Sequence, residues 1–283
     1  MIPAAFEYER ATSVDDALAR LAANPGAKLL AGGHSLLPLL KLRVASADRL
    51  IDIADVDELR TTRYTADGGA EVGPLATYTD IIRGTRLPWV REALEQIGDV
   101  QVRNRGTIGG SISHADPASD MPAIGIALGY SAVLRSSRGE RTVSLDDFFQ
   151  GPFMTAMEPD EILVKLWRGP LPEGVGGAYA KLAQPASGYA IVAVAAVVAR
   201  SGAKVSHARI GVTGVGEHAY RAKDVESALM GTDGSPAAVA AAADKVLEGG
   251  VVNSDIHADA AYRSAMAKVF TRRAITTALS RAS

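Results

Sequence analysis

The residues with most chemical potential fall in two short stretches, each built on a glycine pair. The first is Ala31-Gly32-Gly33-His34-Ser35, which follows the apolar Leu29-Leu30 and precedes Leu36-Leu37. The second runs from Thr107 to Asp120: Thr-Ile-Gly-Gly-Ser-Ile-Ser-His-Ala-Asp-Pro-Ala-Ser-Asp. Glycine has no Cβ and tolerates positive φ, so it lets backbone N–H groups turn toward an anionic group and approach it closely. Thr107, Ser111 and Ser113 add hydroxyl donors, Pro117 stiffens the exit, and Asp120 is placed to cap an apolar helix from Met121 to Leu128. This chemistry suits a phosphate, and two such loops could grip one diphosphate from both sides. Either glycine pair alone is equally a tight turn.

Other chemistries fit less well. There is no G-x-G-x-x-G and no Gly-Lys pair of a P-loop. Gly33-His34-Ser35 invites comparison with the nucleophile elbow G-x-S-x-G, which makes a serine hydrolase using Ser35 one alternative; Leu37 stands where the last glycine is needed. A non-catalytic scaffold is the other. The five histidines are too dispersed for a metal site. His34 and His114 matter because each sits in a glycine stretch, where we read them as cofactor contacts. The chain has no cysteine, which removes thiol catalysis, disulfides and any iron–sulfur cluster on its own thiolates. A formal net charge of -2 without a basic block argues against nucleic acid.

Together the two motifs resemble those of the FAD-binding medium subunit of the molybdenum hydroxylases, the xanthine dehydrogenase and aerobic carbon monoxide dehydrogenase family, along essentially the whole chain. The resemblance implies FAD as cofactor. It implies that Ala31, Gly32, Gly33, His34 and Ser35, flanked by Leu29, Leu30 and Leu36, wrap the FAD pyrophosphate together with Thr107, Ile108, Gly109, Gly110 and Ser111. By the same resemblance Asp120 holds the ribose, Ile162 and Leu163 pack by the ring system, Lys181 reaches the flavin and Tyr189 lies near the ring. Family members often carry Asn at the position of Ser111, whose hydroxyl still offers a donor. The implied role is electron transfer. An iron–sulfur small subunit would supply electrons, a molybdopterin large subunit would oxidise the substrate, and quinone, oxygen or NAD would accept. Pro185-Ala186-Ser187 departs from the charged residues of xanthine dehydrogenases and weakens NAD.

The elements that must position these residues follow from periodicity. At 283 residues and 47% hydrophobic content, about two domains are expected. Ser13 with Asp16 marks a helix start, and Asn24-Pro25-Gly26 its end. Lys28 to Ala31 and Leu50 to Ile53 read as strands around a short helix at Leu36 to Leu40, giving a small βαβ-like unit. Asp67-Gly68-Gly69 turns a hairpin, Thr77 with Asp80 starts a helix, and Pro88 opens another that ends before Gly98. Ser131 to Arg135 pairs with Arg141 to Ser144, and Glu161 to Trp167 is a further strand.

A Gly/Pro-rich linker at 168–177 leads to strands at Ala178 to Leu182, Ile191 to Arg200 and Lys204 to Val212, the middle one apolar enough for burial on both faces. Helices at Ala222 to Met230, Pro236 to Leu247 and Ala258 to Leu279 then cover a sheet. The fold expected is α+β: an FAD-binding region over 1–176, in subdomains of about 1–57 and 58–176, then an antiparallel sheet-and-helix domain over 177–283. The longest apolar run, Ala190 to Ala199, is about half a membrane span. With no signal segment in Met1 to Glu7, a cytoplasmic location is expected.

Overall fold

The computed structural model describes residues 1–247 and 250–283. Its first unit contains β1 (Glu7–Arg10), α1 (Val14–Ala23), β2 (Ala27–Leu30), α2 (Leu36–Lys41) and β3 (Arg49–Asp52). The strands form a parallel sheet in the order β1-β3-β2. Ser13 caps α1 by accepting from Asp16 N at 3.0 Å, as the spacing predicts. Strand β1 escaped the sequence reading because Glu-Tyr-Glu-Arg has no apolar alternation. Backbone pairing with β3 holds it, from Glu7 opposite Arg49 to Arg10 opposite Asp52, and Arg49 also donates to both Glu7 and Glu9.

The second unit runs through β4 (Thr62–Tyr64), β5 (Ala70–Val72), α3 (Tyr78–Gly84), α4 (Pro88–Leu94), α5 (Val100–Arg105), α6 (Ile108–His114) and α7 (Asp120–Ala127). It continues with β6 (Ser131–Ser136), β7 (Gly139–Ser144), α8 (Leu145–Phe148), β8 (Phe149–Gly151), β9 (Met154–Thr155) and β10 (Ile162–Arg168). Five of these strands make one sheet, β4-β5-β10-β6-β7, while β8 and β9 form a separate hairpin. A full capping box between Thr77 and Asp80 starts α3, and Pro88 occupies the first turn of α4.

The remaining elements are β11 (Gly176–Ala183), β12 (Ala190–Ser201), β13 (Lys204–Thr213), β14 (Tyr220–Arg221), α9 (Lys223–Leu229), α10 (Pro236–Ala243) and α11 (Ala260–Arg281). The strands make an antiparallel sheet in sequence order. Strand β12 is buried on both faces, as its run of valine and alanine requires. Val192, Val194, Ala196 and Val198 enter the core beneath α9, α10 and α11, whereas Ala195 and Val197 enter the core shared with α4 and α7. That two-sided burial fastens the last sheet to the second unit. A charge cluster adds to it: Asp146 of α8 accepts from Arg209 of β13 at 2.5 Å and from Arg221 of β14 at 2.9 Å. No helix among the described residues is long and apolar enough to cross a membrane.

Candidate functional site

The two glycine motifs lie far apart in sequence and meet in space. A Cβ on Gly32 would collide with the carbonyl oxygen of Arg105, at the end of α5 and shortly before Thr107. Gly33 is left-handed, with φ +80, and its absent Cβ leaves room for Leu37 and Leu30. Ser35 then heads α2 without a side-chain capping bond. Among the described residues, the N–H groups of Gly32, Gly33, His34 and Ser35 donate to no protein acceptor. A bend with four open backbone donors fits an anionic group such as a pyrophosphate.

The second motif is built differently and corrects two expectations. Residues 108–114 are the helix α6, not a loop, and neither Gly109 nor Gly110 has positive φ. Their N–H groups do not turn toward a ligand. Ile108 N donates to Ala76 O at 2.9 Å, Gly109 N to Pro74 O at 2.9 Å, Gly110 N to the capping Thr107 Oγ1 at 3.1 Å, and Ser111 N to Thr107 O at 3.1 Å. The glycines are there for clearance, since a Cβ on Gly109 would strike Pro74. The hydroxyl of this motif, Ser111 Oγ, lies 2.7 Å from Ser119 Oγ.

Asp120 is also placed otherwise than expected. It is the first residue of α7, while Ser119 holds the cap position and makes no capping bond. The Asp120 side chain points instead across to β11, where it accepts from Tyr179 Oη and pairs with Lys181 Nζ at 2.8 Å. Asp120 is only 5% exposed, and burial raises the pKa of its carboxyl while Lys181 and Tyr179 pull it down. Burial and this carboxylate together hold the Tyr179 hydroxyl protonated, well above its ordinary range. Tyr78 and Tyr189 also lie within the field of Asp120, and each is held neutral chiefly by burial. Tyr189 remains 45% exposed, at the open edge of the site.

Strand β13 holds the motif from the other side. Thr213 Oγ1 donates to the carbonyls of Pro117 at 2.8 Å and Ser119 at 2.9 Å, and Gly214 N to Pro117 O at 2.8 Å. His114 ends α6 half-buried, its ring centroid 5.1 Å from that of Phe153 at the β8–β9 tip, and burial lowers its pKa so that the neutral imidazole is favoured. His34, by contrast, is exposed. Ile162 and Leu163 are buried on opposite faces of β10, in separate cores.

Tyr78, Tyr179, Ser119 and Thr213 were missed by sequence reasoning. Only Tyr179 carries a usable signal, because it precedes Lys181 by two on a strand and so shares its face.

This α+β chain gathers open backbone donors, hydroxyls and one buried ion pair, groups of the kind that hold the phosphates and ribose of a nucleotide cofactor. Bond cleavage by Ser35 has no support, for no histidine or carboxylate pairs with its hydroxyl among the described residues. Comparison with known proteins makes the assignment specific. Residues 4–167 match the family model described as the FAD binding domain in molybdopterin dehydrogenase, and residues 177–278 match the CO dehydrogenase flavoprotein C-terminal domain. The chain belongs to this family of FAD-binding medium subunits of molybdenum hydroxylases, and is an oxidoreductase subunit of the CO dehydrogenase type.

It is 42% identical over 286 residues to the carbon monoxide dehydrogenase medium chain of Hydrogenophaga pseudoflava, covering 99% of each. It is 37% identical over 278 residues to the glyceraldehyde dehydrogenase medium chain of Sulfolobus acidocaldarius, covering 97% of this chain and 98% of that one. A solved structure of carbon monoxide dehydrogenase from Hydrogenophaga pseudoflava, which lacks the Mo-pyranopterin moiety of the molybdenum cofactor, superimposes with a TM-score of 0.96 over 100% of both chains at 42% identity.

Proposed function

We propose that the chain is the flavin relay of a three-subunit molybdenum hydroxylase, receiving electrons from an iron–sulfur small subunit and passing them to an external acceptor. The substrate is oxidised on a molybdopterin large subunit. FAD, when bound, supplies the exchange between one-electron and two-electron steps. The carrying observation is the meeting of Gly32 with the Arg105 carbonyl, which brings the two motifs to one place.

In this reading Gly32 to Ser35 hold the pyrophosphate on their open N–H groups, with Leu29, Leu30, Ala31 and Leu36 as the supporting wall. Thr107, Ile108, Gly109, Gly110 and Ser111 close the opposite side, the glycines by clearance and Ser111 by its hydroxyl. Asp120 offers a ribose hydroxyl whatever acceptor capacity Lys181 and Tyr179 leave. Lys181, Tyr189, His114, Ile162 and Leu163 line the ring end. The division near residue 176 then separates a nucleotide-holding region, itself of two parts, from a sheet that closes over it.

Two sequence facts support the relay over a self-sufficient enzyme. No cysteine is present to ligate a cluster, and the polar groups of the site gather where phosphate and ribose would lie. The relatives are named for different substrates, carbon monoxide and glyceraldehyde, as expected if substrate choice belongs to another subunit. Quinone or oxygen is favoured as acceptor over NAD, since uncharged Pro185-Ala186-Ser187 precedes Tyr189.

Purification of the untagged complex from its source tests the proposal. The chain is expected to co-elute with a cluster-bearing and a molybdenum-bearing subunit, through an interface on the order of 1,200 Å² or more, and to show flavin absorption that bleaches on adding substrate. A chain that elutes alone and oxidises a small molecule unaided overturns it.

A further inference from the structure

The connection between α6 and α7, which delivers Asp120, leans on two strand ends of the last sheet. Ala190 N, at the start of β12, donates to Ala118 O at 3.2 Å, and at the end of β13 both Gly214 N and Thr213 Oγ1 donate to Pro117 O at 2.8 Å. The two strand ends also approach each other closely. Gly214 is left-handed, with φ +80, and a Cβ there would lie 2.7 Å from the carbonyl oxygens of both Ala190 and Ile191.

One side chain ties these ends together. Arg263, in the first turn of α11, is 4% exposed, and its Nη1 donates to Ile191 O and to Gly214 O, each at 2.6 Å. Its Nη2 pairs with Asp255 at 2.7 Å, and its Nε donates to Ala258 O at 3.4 Å. Asp255 is itself fixed, accepting from His257 N at 2.8 Å and Ala258 N at 3.0 Å. A guanidinium stays charged and holds its donors in one plane, so a single rigid group sets the places of four acceptors. Apolar burial of Ala267, Phe270, Ala274 and Ile275 already fastens α11 to the sheet. What the guanidinium adds is direction, because hydrogen bonds fix the distance between two strand ends and apolar contact does not.

We propose that Arg263 is a positioning residue for the cofactor. Through Ile191 O and Gly214 O it sets the spacing of the β12 and β13 ends, and with it the place of Tyr189 and of the connection that carries Asp120. Arg263 makes no hydrogen bond to Asp120 or Tyr189 themselves, so its effect passes through backbone carbonyls. The inference rests on the reading of Asp120 and Tyr189 as cofactor contacts.

The test compares three variants of the full chain with wild type, reading FAD affinity by equilibrium dialysis and the visible circular dichroism of the bound flavin. Arg263→Met is expected to weaken FAD by about tenfold, the lower end of what charge-assisted hydrogen bonds contribute, and to alter the flavin dichroism. Arg263→Lys, whose ammonium has three donors for four acceptors, is expected to fall between Arg263→Met and wild type; should Arg263→Met fail to fold, Arg263→Lys decides the matter on the same two readouts. Phe270→Leu loosens α11 in its apolar core without touching these bonds. It is expected to lower the thermal midpoint and leave both flavin readouts unchanged. Wild-type affinity and dichroism in the Arg263 variants, or an equal loss in Phe270→Leu, overturns the inference alone. A wild-type chain that binds no FAD overturns the functional reading with it.

Discussion

The two glycine motifs share a dipeptide and a neighbouring serine, yet they do opposite things with their backbones. In the first, Gly33 is left-handed and the N–H groups of Gly32 to Ser35 stay open. In the second, Gly109 and Gly110 are helical and every N–H from Ile108 to Ser111 already has a protein acceptor. One glycine pair exists to present donors, the other to let a helix approach Pro74 and its own cap. Their anchorage differs as well. The first is backed by the Arg105 carbonyl, whereas the second is tied to the last sheet through Asp120, Lys181, Tyr179 and Thr213. Similar sequence in the two motifs is thus no guide to which one supplies the hydrogen bonds.

The anchorage side of this comparison is the easiest to break. Asp120→Ala strands Lys181 as a buried cation, and loss of one partner of a buried pair costs about 3–5 kcal/mol. Urea unfolding of the apo chain is expected to show that loss; unchanged stability would mean that the ion pair does not hold α7 to β11. Next comes Gly32→Ala, where the methyl would meet a backbone carbonyl that cannot swing aside. Overpacking of this kind costs about 1–3 kcal/mol, and here it should appear as lost FAD retention in equilibrium dialysis, because the two motifs are forced apart.

Gly33→Ala should cost about 1–2 kcal/mol, the penalty of a left-handed L-residue. It separates conformational strain from the steric block at Gly32, and an affinity equal to wild type would remove the first motif's bend from the argument. The smallest effect belongs to Gly110→Ala. The added methyl meets only the Thr107 side chain, with the hydroxyl at 2.6 Å, and helix propensity favours alanine by up to about 1 kcal/mol. A near-neutral change in both stability and FAD affinity is expected. A large loss of affinity there would restore Gly110 as a direct ligand contact.

Local chemistry was legible in the sequence wherever a few adjacent residues decide the outcome. Ser13 with Asp16 and Thr77 with Asp80 cap helices as their spacing requires, Asp67-Gly68-Gly69 turns the β4–β5 hairpin, and the valine-alanine run of β12 is buried on both faces. Each rests on a backbone donor finding a side chain three residues away, on a positive φ, or on side chains alternating along a strand. The family pattern likewise lies in contiguous motifs, so FAD binding could be expected from residues 31–35 and 107–111.

Partnerships across the chain were not legible, since no local rule pairs Asp120 with residues 59 and 61 positions away or sets Gly32 against Arg105. Strand β1 had no apolar pattern to announce it, because its place is set by backbone pairing with β3, a strand far along the chain. The helical state of Gly109 and Gly110 was hidden for the same reason. Glycine permits many conformations, and the choice was made by the carbonyls of Pro74 and Ala76, which accept from Gly109 and Ile108 only once the second unit has folded around them.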